Sequence, residues 1–150
     1  MEFLTVSLFG HRIIDDRGVE RKLTPILRDL IQSKSHVAFL VGRNGEFDEL
    51  AARIIKALQR EIGKEKSDIV LVLPYVMNNI EFYEKYYDNI IIPDEVEIVH
   101  PKSAITKRNR WMIDHSDMVV AYVEHAYGGA YTAMCYAERQ GKDIVRLNGE

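Results

Sequence analysis

The stretch that decides the fold is Met118-Val119-Val120-Ala121-Tyr122-Val123, followed after Glu124-His125-Ala126-Tyr127 by Gly128-Gly129-Ala130-Tyr131-Thr132. An unbroken hydrophobic run with no polar alternation is the pattern of a strand covered on both faces, as in a parallel sheet. The glycine pair opens a helical stretch reaching Gln140, in which Ala130, Ala133 and Ala137 form a small-residue face suited to packing on a sheet. A buried strand that passes through glycine into a helix is half of a strand–helix–strand unit.

Working outward, the same alternation recurs. Strands are predicted from Thr5 to Phe9, His36 to Val41 and Asp68 to Leu73, closed by Gly10, Gly42 and Pro74, with a last strand from Asp143 to Leu147. Between them, Val19, Leu23, Leu27, Leu30 and Ile31 share one helical face. From Phe47 to Ile62, so do Ala51, Ile54, Ile55, Leu58 and Ile62, before Gly63 as a C-terminal stop. Pro25 reads either as a kink or as a first helical position behind a Thr24 cap. Glu81 to Tyr87 reads as a short Tyr-rich helix, Asn89 to Ile92 as a short strand, Glu95 to Ser103 as a loop and Ala104 to Ile113 as a helix. The expected fold is α/β and Rossmann-like, a mostly parallel central sheet with helices on both faces, in one domain spanning residues 1–150.

Composition sets the outer bounds. Of 150 residues 47% are hydrophobic, enough for a sizeable core, and no apolar stretch approaches the roughly 20 residues that cross a bilayer. The N-terminus lacks the basic and long apolar segments of a signal peptide, so a cytoplasmic location without a membrane partner is expected. With 20 basic and 23 acidic residues the formal charge is −3, and no nucleic-acid polymer is expected as a partner. Cys135 is the single cysteine, so no internal disulfide forms. His11, His36, His100, His115 and His125 show no metal-ligand spacing, and neither a metal nor a cofactor is called for.

In a parallel α/β sheet ligands lie beyond the carboxyl ends of the strands. Those ends read Gly10-His11-Arg12, Gly42-Arg43-Asn44-Gly45, Pro74-Tyr75 and His125-Ala126-Tyr127-Gly128-Gly129. Glycine lets a backbone approach a ligand, and arginine offers a planar fork of donors suited to phosphate. Gly128-Gly129 at a helix start presents unpaired N–H groups to an anion, and Thr132 lies one turn in. The run Lys107-Arg108-Asn109-Arg110-Trp111-Met112 places Met112 as an anchor and Arg108 toward the strand ends, with a solvated basic face as the plainer reading. The candidate binding residues are Gly10, His11, Arg12, Gly42, Arg43, Asp48, Arg108, Gly128, Gly129 and Thr132. Tyr75, Tyr127 and Tyr131 are candidates to stack on a base.

From Ser103 to Leu147 the chain resembles the SLOG superfamily, whose best-known members are the Lonely-guy phosphoribohydrolases. The likeness rests on Arg108-Asn109-Arg110-Trp111-Met112, then the strand from Ser116 to Tyr122, then Gly128-Gly129-Ala130-Tyr131-Thr132, then Lys142-Asp143-Ile144-Val145. The opening Phe9-Gly10-His11-Arg12 and the run Phe47-Asp48-Glu49-Leu50 are similar to a bacterial branch of the same superfamily. The resemblance implies a Rossmann-like domain that binds nucleotides or nucleotide-derived signals, and self-association into a homo-oligomer, for which Phe82, Tyr83, Tyr86 and Tyr87 form a candidate patch. It also places Cys135 where the enzymes carry their catalytic glutamate, Tyr131 at a loop glycine and Tyr127 at the leading proline. A thiol does not replace an ionised carboxylate as acid or base. The first reading is therefore a module that senses or sequesters a nucleotide-type small molecule. The alternative is an N-glycosidic nucleotide hydrolase or glycosyl-transfer enzyme using Arg108 with a relocated carboxylate, Glu138 or Glu124, or else Glu46 or Asp48. A vestigial site in an interaction protein is the third.

Overall fold

The computed structural model describes residues 2–14, 18–43, 45–93 and 101–147. Six strands form one parallel sheet: β1 (Phe3–Gly10), β2 (His36–Val41), β3 (Ser67–Val72), β4 (Asn89–Ile91), β5 (Met118–Tyr122) and β6 (Asp143–Arg146). Their order is β4-β3-β2-β1-β5-β6. The chain steps outward from β1 to β4, then returns to β1's other side, where Val6 pairs with Met118 and Gly10 with Tyr122. The direction of winding reverses between β1 and β5. Parallel strands need crossovers, and the helices that supply them cover both faces.

Strand periodicity divides the core in two. Val6, Leu8, Phe39, Val120 and Tyr122 face α1 (Val19–Ser33) and α2 (Glu46–Ile62). Phe9, Leu40, Val72, Val119 and Ala121 face α4 (Pro101–Asp114) and α5 (Gly129–Arg139), with α3 (Ile80–Glu84) leading into β4. Helix α1 buries Val19, Leu23, Leu27 and Ile31, one residue per turn. In α2, Phe47, Ala51, Ile55 and Leu58 are buried, and the helix ends at Gly63, whose φ of 137° and N–H to the Gln59 carbonyl close the last turn. These are the faces that the apolar spacing predicts.

Two local expectations are resolved. Pro25 is not a first helical position behind a Thr24 cap but lies inside α1, where the kink alternative places it. It has no N–H for the Arg21 carbonyl, yet the buried face on either side holds the helix through that gap, and Thr24 Oγ1 donates to the Glu20 carbonyl at 2.8 Å. Helix α4 starts at Pro101, so residues 101–103 of the expected loop are helical; proline's fixed φ suits a first turn. The loop's residues 95–100, like Asn44, lie outside the described residues. No helix among the described residues is long and apolar enough to cross a membrane.

The sheet's β3–β4 margin carries one polar fastening. Asp88 Oδ2 accepts the Ile69 N–H and the Gln59 amide, each at 2.8 Å, and its Oδ1 pairs with Lys64. Partial burial pushes this carboxyl up, but the bonds from Lys64, Ile69 and Gln59 outweigh it and hold it below the ordinary aspartate range. A carboxyl lowered in the folded state adds stability that is present above its unfolded pKa and is lost as pH falls through the folded one. Thermal melts between pH 7 and pH 3 are therefore expected to fall more steeply for the native chain than for Asp88→Asn. Parallel slopes would show that the fastening contributes nothing.

Candidate functional site

At the carboxyl ends of β1, β2 and β5, where the winding reverses, the surface opens into a cleft of about 550 Å³. Such reversals leave a crevice because neighbouring crossovers depart to opposite faces. Gly10, His11, Arg12, Gly42, Asp48, Arg108, Gly128 and Gly129 line it, together with Gly45, Asn109, Met112, His125 and Tyr127.

The glycines at the base make room. A β-carbon on Gly10 would stand 2.1 Å from Phe47 Cγ, so the end of β1 passes directly against α2. One on Gly42 would stand 2.9 Å from Arg108 Nη1 and 3.2 Å from Asp48 Oδ2. The loop after β1 is tied over the start of α2. The Glu46 N–H donates to the Arg12 carbonyl at 2.8 Å, the Ile14 N–H to Glu46 Oε1 at 2.7 Å, and a β-carbon on Gly45 would stand 2.6 Å from Arg12 Cα. The α2 N-terminus is thereby engaged by its own chain, with Glu46, Asp48 and Glu49 in its first turn.

The end of α4 is pinned by Ser116 Oγ, which donates to the Met112 carbonyl at 2.7 Å, and by Ser7 Oγ, which donates to the same carbonyl at 3.1 Å. Met112 is buried as the anchor. One turn earlier Arg108 lies only 4% exposed. Its Nη1 donates to the Val72 carbonyl at 3.0 Å and its Nε to Asn109 Oδ1 at 2.8 Å, while Nη2 makes no hydrogen bond among the described residues. Burial pushes the guanidinium's pKa down; Asp48 and Tyr75 raise it and Arg43 lowers it further. Arginine stays protonated through such shifts, so the cleft wall holds a poorly solvated positive charge with donors to spare.

Helix α5 also begins at the cleft. Gly128, at φ 95°, precedes the helix, no side chain caps it, and no acidic residue occupies its first turn. A β-carbon on Gly128 or Gly129 would meet nothing within 4 Å. With no side-chain cap, the N–H groups of the first turn lack a capping partner, and the helix dipole adds partial positive charge.

Three stacked rings line the same cleft. His11 is buried edge-on to Tyr122 (5.5 Å between centroids), and its Nε2 accepts the Glu124 N–H at 2.7 Å, which places the ring proton on Nδ1. His125 stacks on it at 3.7 Å and 7°, and Tyr127 stacks on His125 at 4.0 Å and 25°.

Several expected residues stand elsewhere. Arg43, next to Gly42, turns from the cleft: its Nε points to Met77 Sδ at 3.2 Å and its guanidinium lies 5.7 Å from the Tyr83 ring centre. Thr132 lends no hydroxyl to the cleft, because its Oγ1 donates back to the Gly128 carbonyl at 3.0 Å. Glu138 is ion-paired with Arg146, and Glu124 Oε1 accepts the Tyr122 hydroxyl at 2.9 Å; neither lines the cleft. Tyr131 packs against the core, and Tyr75 lies outside the lining. Phe82, on α3, is exposed, while Tyr87, between α3 and β4, packs against the core. The sequence reading passed over His125, Asn109 and Gly45. The position of His125 and Gly45 in strand-end loops was the available signal, whereas nothing in a charge run distinguishes Asn109.

No family model matches the chain, and no curated protein matches it by sequence. Among solved structures, 98% of the chain is similar to DNA processing protein A from Helicobacter pylori, whose structure describes a single-stranded DNA binding mode, with a TM-score of 0.70 and 18% identity over 66% of that chain. It is also similar to DNA processing protein A (DprA) from Streptococcus pneumoniae, over 99% of this chain and 51% of that one, with a TM-score of 0.72 and 13% identity. The structural-genomics target TM1055 superposes on 94% of the chain, over 72% of its own length, with a TM-score of 0.61 and 15% identity. The chain spans less than two thirds of either DprA chain. Fold and site together define a Rossmann-like α/β protein with its cleft at a topological switch point. All three likenesses lie below 20% identity and show the fold alone, the Rossmann-like α/β architecture expected from the sequence.

The exclusion of nucleic-acid polymers is overturned by the same comparison, since the Helicobacter protein binds single-stranded DNA and shares this fold. The exclusion rested on whole-chain charge. Single-strand sites depend instead on local cations and ring faces, which a net sum of −3 does not register.

Proposed function

We propose that the cleft binds a nucleotide-type ligand, free or within a single strand, with a phosphate between Arg108 and the first turn of α5. The observation that carries this reading is Arg108: a guanidinium 4% exposed whose Nη2 has no acceptor among the described residues and which lines an open cleft. A buried charge is tolerated when paired and hydrogen-bonded, and an anionic oxygen would complete the set. The likeness in fold to DprA is consistent with this ligand class. Such a site suits a sensing or sequestering module. Hydrolysis is not favoured, because Glu138 and Glu124 are held outside the cleft.

Thermal shift over a panel of nucleoside mono- and diphosphates and short single-stranded oligonucleotides tests the reading. At a concentration about 100-fold above Kd a bound ligand adds about 2.7 kcal/mol and raises Tm. A panel without any shift at millimolar concentration would overturn the proposal. Release of free base that vanishes in Asp48→Asn, the named carboxylate that does line the cleft, would replace it with an enzyme.

A further inference from the structure

We infer that the cleft reads an unpaired nucleobase, seated on the outer face of Tyr127 as the fourth ring of the column that starts at His11. The inference rests on the nucleotide reading of the cleft and adds what part of the ligand is recognised and by which residue.

The column is graded from inside to outside. His11 is 7% exposed and fixed by the Glu124 N–H and the Tyr122 edge, His125 lies flat on it, and Tyr127 closes the stack while remaining 68% exposed. On the cleft wall that exposure leaves the ring accessible to a flat ligand. Because its other face rests on a supported stack, little ordering remains to be done when a flat ligand arrives. Among the tyrosines Tyr75, Tyr127 and Tyr131, Tyr127 is the one that lines the cleft. Trp111 is turned away, stacked on His115 at 4.0 Å.

Placement relative to the phosphate agrees. The Cα atoms of Tyr127 and Gly129 are two residues and so at most about 7 Å apart, and both residues line the cleft, so the ring and the helix start are neighbouring parts of one site. A base inside a duplex has both faces covered by its neighbours and cannot add to the column. The ligand is thus a free mononucleotide or an unpaired residue of a strand, and purines, with the larger face, overlap the ring best.

The test is calorimetric titration of the full chain with adenosine 5′-monophosphate, ribose 5-phosphate and a single-stranded oligodeoxyadenylate, repeated with Tyr127→Ala and Tyr127→Phe. The native chain is expected to bind the mononucleotide at least about tenfold more tightly than the sugar phosphate, the margin that one base–aromatic stack provides. Tyr127→Ala should erase that margin and leave the sugar phosphate unchanged, while Tyr127→Phe should retain it. The same Tyr127 dependence seen with the oligonucleotide alone would support the inference and identify the strand as the source. Equal binding of mononucleotide and sugar phosphate, or a loss in Tyr127→Ala common to both, would overturn the base platform and leave the anion cleft standing. Binding of none of the three would overturn both.

Discussion

Replacing Gly10 with alanine is expected to destabilise the chain by about 3 kcal/mol, at the upper end of the overpacking range, and Gly10→Val by more. The added carbon would stand 2.1 Å from Phe47 Cγ, well inside contact distance. Phe47 cannot step aside at small cost. It is fully buried, lies parallel to Tyr122 at 6.1 Å, and opens a helix whose first turn is tied to the Arg12 carbonyl. Phe47→Ala alone should cost about 3–5 kcal/mol through the cavity it leaves. The two changes are in contact, so they should couple: Gly10→Ala with Phe47→Leu is expected to be more stable than the sum of the single effects allows. Urea denaturation of the four proteins measures this. An unchanged midpoint for Gly10→Ala would mean that the close approach of β1 and α2 is not a real constraint.

The second large effect is on binding. Arg108→Met is expected to weaken the affinity for adenosine 5′-monophosphate by about 10- to 100-fold, since a hydrogen bond to a charged group contributes about 1.5–3 kcal/mol. Stability should change far less, because methionine fills similar volume and removes a charge that burial disfavours. Arg108→Lys should fail to restore the affinity. The guanidinium divides its donors among the Val72 carbonyl, Asn109 and the open side of the cleft, and an ammonium on a single stem cannot span those directions. Titration of the three proteins, with melts as the control, decides it. Affinity unaffected in Arg108→Met would remove Arg108 from the site.

Both predictions depend on contacts between residues far apart in the chain, and there the two levels of description part. The continuous hydrophobic runs at Met118–Val123 and Asp68–Leu73 could be covered only from both sides, so a parallel sheet flanked by helices was legible from residue order alone. The glycines at the strand ends were legible for a similar reason: a chain turning from a buried strand into a helix needs room or unusual torsion there. Arg43 and Arg108 look equivalent as letters. Packing turned one toward Met77 and Tyr83 and buried the other on the cleft wall, because α4 is pinned to β1 by Ser7 and Ser116. Thr132 looked available, but its hydroxyl had a carbonyl one turn back within reach and bonded there.

By itself, then, the sequence determined the α/β class, the two buried faces of the strands and the strand-end glycines, since hydrophobic periodicity and backbone sterics act over a few residues at a time. The tertiary structure alone decided the strand order, the reversal between β1 and β5 and the column of His11, His125 and Tyr127, because a ring from the end of the first strand reaches one from the end of the fifth only once those two strands have paired side by side.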